Sequence, residues 1–310
     1  MDRTSRRTFV KRAALGCAGL WSAGKFRLLA NPLGLPIGLQ LYTVRQQLQK
    51  DFEGTLKQVG AIGYKEVEMA GFLGRTPAQI RAALKQAGLN CPSAHYPAME
   101  LTSDLDKKIE FARQLGLQYM VCAFPWVANP GRFHAPPGKP MAVFQGIVHG
   151  MTMEDWKWNA DLFNRVGAAC HKAGIQFCYH NHDIEFQNHN GQIPYDQLLK
   201  WCDAKLVKME LDCGWMFRAG RDPALYMRNN PGRYPMLHIK DEEGGTIDTS
   251  LDSSTNTELG KGSMNFKTIF AAAPIGGVKH YFVEQEHFQA DIPPMKAAEI
   301  DYHFLHAIHG

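Results

Sequence analysis

The sequence predicts an α/β fold, a single-domain (β/α)8 TIM barrel over residues 31–310. Strand-like and helix-like segments alternate eight times from Ile37 onward. The roughly 280 residues involved are enough for one large domain with a sizeable core. The alternative is a doubly wound open sheet. It is disfavoured because residues 42–45, after the first strand, read Tyr-Thr-Val-Arg and form no Gly-rich phosphate loop.

Residues 1–30 are set apart from the fold. The stretch Ser5–Lys11 reads SRRTFVK and resembles a twin-arginine export signal, and an apolar run of small residues, Ala13–Gly24, follows it. That run is too short to span a bilayer as a helix. We expect a signal segment that sends the protein to the periplasm through the twin-arginine machinery. The alternative is a basic amphipathic helix that opens the first domain.

Net charge argues against a polyanionic partner. Residues 1–30 hold seven of the 34 Lys and Arg residues and one of the 30 Asp and Glu residues. The rest of the chain therefore carries 27 basic and 29 acidic residues, and the basic pI belongs largely to the signal. This excludes nucleic acid as an expected partner, and no apolar run predicts stable membrane insertion. A homo-oligomer is left open.

Six of the seven cysteines lie beyond residue 30. They contain no Cys-x-x-Cys pair, and most lie inside apolar segments. An even number in an exported protein permits disulfides. However, the twin-arginine route carries folded proteins, whose thiols pack in a reducing cytoplasm. We therefore expect buried free thiols.

The elements follow from hydrophobic period and turn residues. The predicted strands are Ile37–Tyr42, Glu66–Met69, Cys91–His95, Tyr119–Ala123, Gln176–His182, Val207–Asp212, Pro235–Lys240 and His280–Glu286. Helical stripes lie between them, including Phe52/Leu56/Val59, Ile80/Leu84/Ala87, Leu105/Ile109/Ala112/Leu115 and Trp156/Phe163/Val166/Cys170. Shorter helices are predicted at Tyr195–Cys202, Asp222–Asn230, Phe266–Ala272 and Met295–Ile308. Helix stops are predicted at Gly63, Gly88, Gly116 and Gly174.

Two connections, residues 124–151 and 241–264, are longer than is usual in such a fold. Both follow strands, on the side of a barrel where catalytic sites lie. They are either tolerated surface insertions or a lid over the site. In the first of them, Trp126 offers an apolar face to a sugar ring.

Metal-type side chains gather at the ends of four successive predicted strands. The fifth strand ends in residues 177–186, FCYHNHDIEF, whose alternation places His180 and His182 on one face. A lone strand histidine is more often structural, but the next three strands contribute Asp212, His238 and Glu284 at the same end. A mixed imidazole–carboxylate set suits one Mn²⁺, Co²⁺, Zn²⁺ or Fe²⁺ ion and suits Ca²⁺ poorly.

The same segments carry a family resemblance. The chain resembles the xylose-isomerase-like barrel superfamily, in the group called sugar phosphate isomerases/epimerases, over essentially all residues after 30. The motifs are GLQLY at 38–42, YHNH at 179–182, LDCGW at 211–215, HIKD at 238–241, LGKG at 259–262 and VEQE at 283–286. Each motif is short, but their order and spacing are typical of that group.

The resemblance implies one divalent metal bound by Glu, Asp, His and Glu from strands five to eight. By position, Asp212, His238 and Glu284 match the last three ligands, and His180 stands where the first Glu is expected. The implied ligand set is therefore His180, Asp212, His238 and Glu284. Its charge falls from −3 to −2, which leaves the metal a stronger Lewis acid.

The replaced glutamate also bears on catalysis. Epimerases of this group are thought to use the two metal-bound glutamates as acid and base on opposite faces of an enediolate, and here one of them is absent. A one-base route remains, in which Glu284 or a nearby histidine removes a proton next to a carbonyl. The proton carriers or oxyanion stabilisers considered are His95, His182 and Lys240; the substrate contacts considered are Glu68, Trp126 and Glu286. A purely structural role is equally compatible with the sequence for four of these residues: His95, His182, Lys240 and Glu68. Glu286 could equally belong to an ion pair in the barrel interior.

Three functions fit these residues. The first is a metal-dependent sugar isomerase or epimerase that works through an enediolate. The second is a lyase or dehydratase that acts by β-elimination on a keto-sugar or 3-keto-glycoside, which the absent glutamate and the export signal favour. The third is a metal-stabilised sugar-binding protein without turnover. Phosphorylated sugars are disfavoured as substrates because no phosphate loop is present.

Overall fold

Eight parallel strands close into a barrel in the computed structural model, which describes residues 31–133, 146–244, 247–250 and 255–308. The strands are β1 Ile37–Gln40, β2 Glu66–Met69, β3 Asn90–Pro97, β4 Tyr119–Phe124, β5 Gln176–His180, β6 Val207–Asp212, β7 Met236–Ile239 and β8 His280–Val283. Each strand pairs with its neighbours in the chain, and β1 pairs with β8, which closes the barrel. The predicted single-domain (β/α)8 fold is confirmed.

Helices alternate with the strands. They are α1 Phe52–Ile62, α2 Pro77–Ala87, α3 Leu105–Leu115, α4 Met153–Lys172, α5 Pro194–Trp201, α6 Pro223–Asn229, α7 Phe266–Gly276 and α8 Pro294–Ala307. Short helical segments Arg45–Lys50, Ala98–Leu101 and Cys213–Arg218 are additional to the eight. Gly88 and Gly116 end α2 and α3 in the left-handed conformation, at φ 69° and 89°, as their positions predict.

The core has two parts, and the smaller one positions the site. Most buried apolar side chains pack between the sheet and the helices. A separate cluster of Val121, Cys178, Met236 and Phe282 fills the inside of the barrel. Towards the carboxyl ends of the strands, the inward positions become polar. This apolar cluster therefore lies directly beneath a layer of histidines and carboxylates.

The amino-terminal end of the barrel holds a separate ion pair. Glu66 at the start of β2 lies 2.7 Å from His280 Nδ1 at the start of β8. Nearby, Lys208 Nζ donates a 2.8 Å hydrogen bond to the Gly232 carbonyl and not to a carboxylate. This end contributes to structure, since barrel sites lie at the opposite face.

Three strands end two or more residues earlier than the sequence predicts. Strand β5 stops at His180, so His182 lies in the turn that precedes the 3-10 helix Ile184–Phe186. Strands β1 and β8 are shorter than predicted by two and three residues, respectively. A short antiparallel pair, Asp241–Glu242 with Asn256–Thr257, extends from the end of β7 and was not predicted.

Some predictions fall on residues outside those described. The export signal lies within residues 1–30, and the two long connections include residues 134–145, 245–246 and 251–254. Across the described ranges, no helix is long and apolar enough to cross a membrane. The six cysteines in those ranges are free, and all are buried except the half-buried Cys91, as expected for packed thiols.

A buried carboxyl on α8 predicts a pH-dependent stability. Asp301 Oδ1 accepts the Leu259 N–H at 2.8 Å, and burial raises the pKa of Asp301 to about 8. The native state therefore holds a proton between about pH 4 and pH 8 that the unfolded chain releases, so stability falls as pH rises through this window. We expect Asp301→Asn to gain stability over wild type, by up to a few kcal/mol, as pH rises across that window. Urea unfolding at several pH values measures the difference, with the exposed Glu299→Gln on the same helix as control. A pH-independent difference would contradict the prediction.

Candidate active site

The four predicted metal ligands meet at the carboxyl end of the barrel. One coordinating atom from each of His180, Asp212, His238 and Glu284 lies within 4.8 Å of the corresponding atoms of the others, and all four residues are buried. The His238 Nδ1 atom is 3.0 Å from Glu284 Oε2 and 3.7 Å from Asp212 Oδ2. His180 Nε2 is 3.9 Å from the same Asp212 oxygen. Asp212 thus lies between the two imidazoles.

Strand register explains this convergence. Asp212 of β6 is paired with His238 of β7, and Phe282, two residues before Glu284, is paired with the same histidine. Because parallel strands bring their carboxyl ends to one edge, side chains at these positions share one layer. Asp212 also caps the following short helix, since its Oδ1 atom accepts the Trp215 N–H at 2.8 Å.

A buried lysine joins the carboxylates of this layer. Lys240 is 1% exposed, and its Nζ atom lies 3.1 Å from Asp212 Oδ2 and 3.0 Å from Glu284 Oε2. It also donates to Glu286 Oε1, which accepts the Trp215 Nε1–H at 3.1 Å as well. Burial opposes a charge on Lys240, but Asp212 and Glu284 outweigh it and raise the lysine pKa well above its usual range. Lys240 is therefore an ammonium that links Glu284 to Glu286.

A second layer lies beside the first. His95 Nε2 lies 2.7 Å from Glu210 Oε2 and 3.0 Å from Glu68 Oε2, so it bridges two buried carboxylates. Burial opposes a charge on the His95 ring, but Glu68 and Glu210 outweigh it and raise the His95 pKa to about 10. His95 is consequently a half-buried cation near neutral pH, and it neutralises part of the charge of this layer.

The two strand-five histidines have a different electrostatic environment. Burial and the neighbouring His238 hold the pKa of His180 well below its usual range, and burial and Lys240 do the same for His182. Both rings are therefore neutral near pH 7, which is the state in which an imidazole binds a metal or accepts a proton.

A cavity of about 380 Å³ opens above these layers. Its lining includes the predicted residues His95, His180, His182, Glu284 and Glu286. The predicted residues Glu68, Asp212, His238 and Lys240 are buried and are not part of its lining. Apolar walls come from Phe72, Pro97, Ala123 and Phe124, and Tyr42 and Glu100 complete the lining together with Ala70 and Gly71.

Trp126 lies apart from this cavity. Its backbone N–H and carbonyl are both bound to the Asn159 side chain, at 3.0 and 2.7 Å, and its ring packs on the core. The aromatic side chain that faces the cavity from this connection is Phe124, whose ring stacks on His182 with centroids 4.0 Å apart. Trp126 was predicted to offer an apolar face to a substrate, but the direction of the chain after β4 places Phe124 at the cavity instead.

Two further residues were not among the predicted site residues. Glu210 contacts three histidines, His95, His180 and His238. Trp215 lies beside Lys240, whose Nζ is 5.0 Å from its ring centroid, and donates to Glu286. Glu210 precedes Asp212 by two residues, so strand alternation alone places it on the same interior face.

The four-residue set fits a divalent metal. A metal bound at about 2.1 Å by each donor holds neighbouring donor atoms about 3 to 3.5 Å apart, which the observed separations approach. Within the described ranges, Asp212 Oδ2 is buried and has no aligned hydrogen bond, although Lys240 Nζ lies 3.1 Å away. The mixture of imidazole and carboxylate donors suits Zn²⁺, Mn²⁺, Co²⁺ or Fe²⁺.

Comparison with known proteins identifies the family of this chain. Residues 56–307 match the model of the xylose isomerase-like TIM barrel family. The chain belongs to this family. The match covers all barrel strands except β1, so the site described above lies within it.

Proteins with different activities are similar to this chain. The inosose dehydratase of Geobacillus thermodenitrificans (strain NG80-2) is 23% identical over 268 residues, which cover 81% of this chain and 86% of that protein. A solved sugar phosphate isomerase/epimerase from Parabacteroides distasonis ATCC 8503 is 25% identical, with a TM-score of 0.69 and coverage of 88% and 94%. These relatives are enzymes, and they do not separate lyase from isomerase chemistry.

A second solved structure contains a metal. The IOLI protein, solved with a bound zinc atom, superposes with a TM-score of 0.65 over 87% of this chain and 96% of its own, at 12% identity. At this identity the likeness shows the fold alone. The bound zinc is a property of that protein.

Proposed function

We propose that this chain is a divalent-metal-dependent lyase that acts on a keto-sugar or 3-keto-glycoside. The observation that carries the proposal is the placement of carboxylates around the cavity. Glu284 and Glu286, two residues apart after β8, both line it, whereas β5 and the turn after it contribute His180 and His182 and no carboxylate. In a syn elimination, the base that removes the proton from carbon and the acid that protonates the neighbouring leaving group lie on the same side of the substrate. Two glutamates on one side of the cavity suit such an elimination better than they suit an epimerisation that needs carboxylates on opposite faces of the substrate.

The proposed metal is held by His180, Asp212, His238 and Glu284. A divalent ion there would supply Lewis acidity, which makes the C–H bond next to a substrate carbonyl more acidic. Zn²⁺, Mn²⁺, Co²⁺ and Fe²⁺ all suit this donor set, and the identity of the ion is for elemental analysis to decide.

The residues of this chain then move one proton from carbon to oxygen. Glu284 removes the proton next to the carbonyl, and the electron pair of that C–H bond forms a carbon–carbon double bond as the β carbon–oxygen bond breaks. Lys240 Nζ, 3.0 Å from Glu284 Oε2 and hydrogen-bonded to Glu286, connects the two carboxylates. The proton reaches the departing oxygen through Lys240 and Glu286. Water leaves in a dehydration, and an alcohol leaves from a glycoside.

The cavity supports a sugar-sized substrate. Its volume of about 380 Å³ combines a polar floor with apolar walls from Phe72 and Phe124. Such a wall suits the apolar face of a sugar ring or an aglycone. The SRRTFVK stretch supports export as part of this proposal, so the substrates we propose are those found outside the cytoplasm.

Epimerisation or isomerisation is the second candidate, and His182 favours it. This neutral histidine lines the cavity, and its Nδ1 atom is buried without a hydrogen-bond partner within the described ranges. If His182 returns a proton to carbon before the leaving group departs, the product is an isomer or epimer. The similarity to the isomerase/epimerase of Parabacteroides distasonis supports the same outcome.

Product analysis in D₂O tests the proposal. Metal-loaded protein is incubated with free ketoses and with 3-keto-glycosides, and products are followed by NMR and mass spectrometry. We expect release of water or an aglycone with an unsaturated product. Deuterium in an epimeric or isomeric product without release would instead establish the second candidate. Tight sugar binding without exchange or release would leave a sugar-binding protein and overturn both.

A further inference from the structure

Two overlapping groups of metal-type side chains share two histidines. His180 and His238 form one group with Asp212 and Glu284, here called the outer set, and another with His95 and Glu210, here called the inner set. In each group the coordinating atoms lie within 4.8 Å of one another. The two groups cannot each bind a metal ion at the same time. A neutral imidazole carries a proton on one of its two nitrogens, so each shared ring can offer only the other nitrogen to a metal.

The shared rings turn different nitrogens towards the two sets. His180 places Nδ1 3.1 Å from Glu210 Oε2, and its Nε2 atom lies on the Asp212 side at 3.9 Å. His238 places Nε2 2.7 Å from Glu68 Oε2, and its Nδ1 atom lies 3.0 Å from Glu284 Oε2. In both rings, the nitrogen that faces away from the outer set meets a buried glutamate.

The inner carboxylates are already engaged with hydrogen-bond donors. Glu68 receives the Gln40 side-chain amide at 2.7 Å and the Ser93 hydroxyl, in addition to the histidines. Glu210 Oε2 is contacted by His95 at 2.7 Å and by His180 at 3.1 Å. A cation in the inner set would have to displace these donors. The outer set instead offers Asp212 Oδ2, which has no aligned hydrogen bond from the described residues.

We infer that Glu210 and Glu68 are positioning residues that select the outer set. Glu210 accepts the Nδ1–H of His180, and Glu68 accepts the Nε2–H of His238. Each contact fixes one tautomer, so that His180 Nε2 and His238 Nδ1 are left to bind the metal. His95 holds the two glutamates in place from between them. This inference rests on the proposed metal set and is independent of which reaction the enzyme performs.

Metal affinity tests the inference without reference to activity. Co²⁺ and Zn²⁺ dissociation constants are measured by chelator competition for wild type, Glu210→Gln, Glu68→Gln, Asp212→Asn and Glu66→Gln. The Glu66→Gln control removes a buried glutamate that also contacts a histidine, His280, but at the other end of the barrel. We expect Glu210→Gln and Glu68→Gln to bind roughly 10- to 100-fold more weakly and still to reach one metal per chain at saturation. Glu66→Gln should bind as wild type does.

Proton NMR spectroscopy detects the imidazole N–H protons of the two ligand histidines directly. In the Co²⁺-loaded protein, the two ligand imidazoles should each give a shifted, exchangeable N–H resonance in the proton NMR spectrum. Glu210→Gln should shift the His180 resonance or speed its exchange more than that of His238, which Glu210 contacts at the longer distance of 3.3 Å, and Glu68→Gln should affect the His238 resonance more. Loss of secondary structure alone would affect both signals together, and circular dichroism checks the fold of every variant.

The outcomes separate this inference from the proposed metal site. Wild-type affinity and unchanged N–H signals in both glutamate variants would overturn the positioning role. Complete loss of metal in Glu210→Gln with wild-type binding in Asp212→Asn would show that the inner set holds the ion, which overturns it as well. Wild-type affinity in Asp212→Asn together with a weakened Glu210→Gln would reject the outer set as proposed.

Discussion

Glu284→Gln is expected to lower turnover of a 3-keto-glycoside or keto-sugar by about 10²- to 10⁴-fold, because it removes the proposed base. The side chain lines the cavity, and its Oε2 atom is 3.0 Å from Lys240 Nζ. The amide that replaces it cannot accept a proton from carbon. Deuterium incorporation next to the substrate carbonyl should fall in parallel with product formation, since both depend on the same step. Rates are measured at saturating metal, so that weaker metal binding does not enter the comparison.

Glu66→Gln serves as the matched control for this variant. It changes the same functional group on another strand of the barrel, but at the amino-terminal end, where Glu66 contacts His280. It should retain wild-type turnover and exchange. Wild-type exchange in Glu284→Gln would contradict the proposed base and would transfer that role to His182, the neutral histidine that lines the same cavity.

His180→Ala is expected to remove most of the bound metal. His180 is 2% exposed and neutral near pH 7, and its Nε2 atom faces the Asp212 carboxylate, so the variant loses one of the four proposed donors. The loss of affinity should exceed the roughly 10- to 100-fold expected for a partner that only orients a ligand. Elemental analysis of the protein after dialysis against a fixed metal concentration gives the occupancy.

Two further variants sharpen the His180 result. His280→Ala removes a strand histidine outside the site and should keep full occupancy. His180→Glu restores a carboxylate at the position where the family resemblance places one, and it should retain metal with a ligand charge of −3. Full occupancy in His180→Ala would exclude His180 as a ligand and would leave three protein donors for the ion.

Much of the scaffold could be predicted because its causes are local. The bounds of Glu66–Met69 and Val207–Asp212 agree with the structure, since an apolar run between turn residues depends on its own neighbourhood. Strand ends were less predictable. Strand β5 was predicted to reach His182 but stops at His180, because the His182 N–H binds Glu185 Oε2 at 2.9 Å in place of a neighbouring strand. A side-chain acceptor three residues ahead competed with the sheet for this amide.

The sequence by itself determined the barrel and the types of side chain that its strands bring to one end. Alternation assigns His180, Asp212, His238 and Glu284 to the interior, and parallel strands bring them to one face. Only the tertiary structure decided that Lys240 links the two cavity glutamates, that Phe124 and not Trp126 faces the cavity, and that Glu68 and Glu210 meet the far sides of the two histidines. These contacts join residues as distant in sequence as Glu68 and His238, which lie 170 positions apart. They depend on how the barrel closes and on side-chain rotation, and neither leaves a periodic signal in the chain.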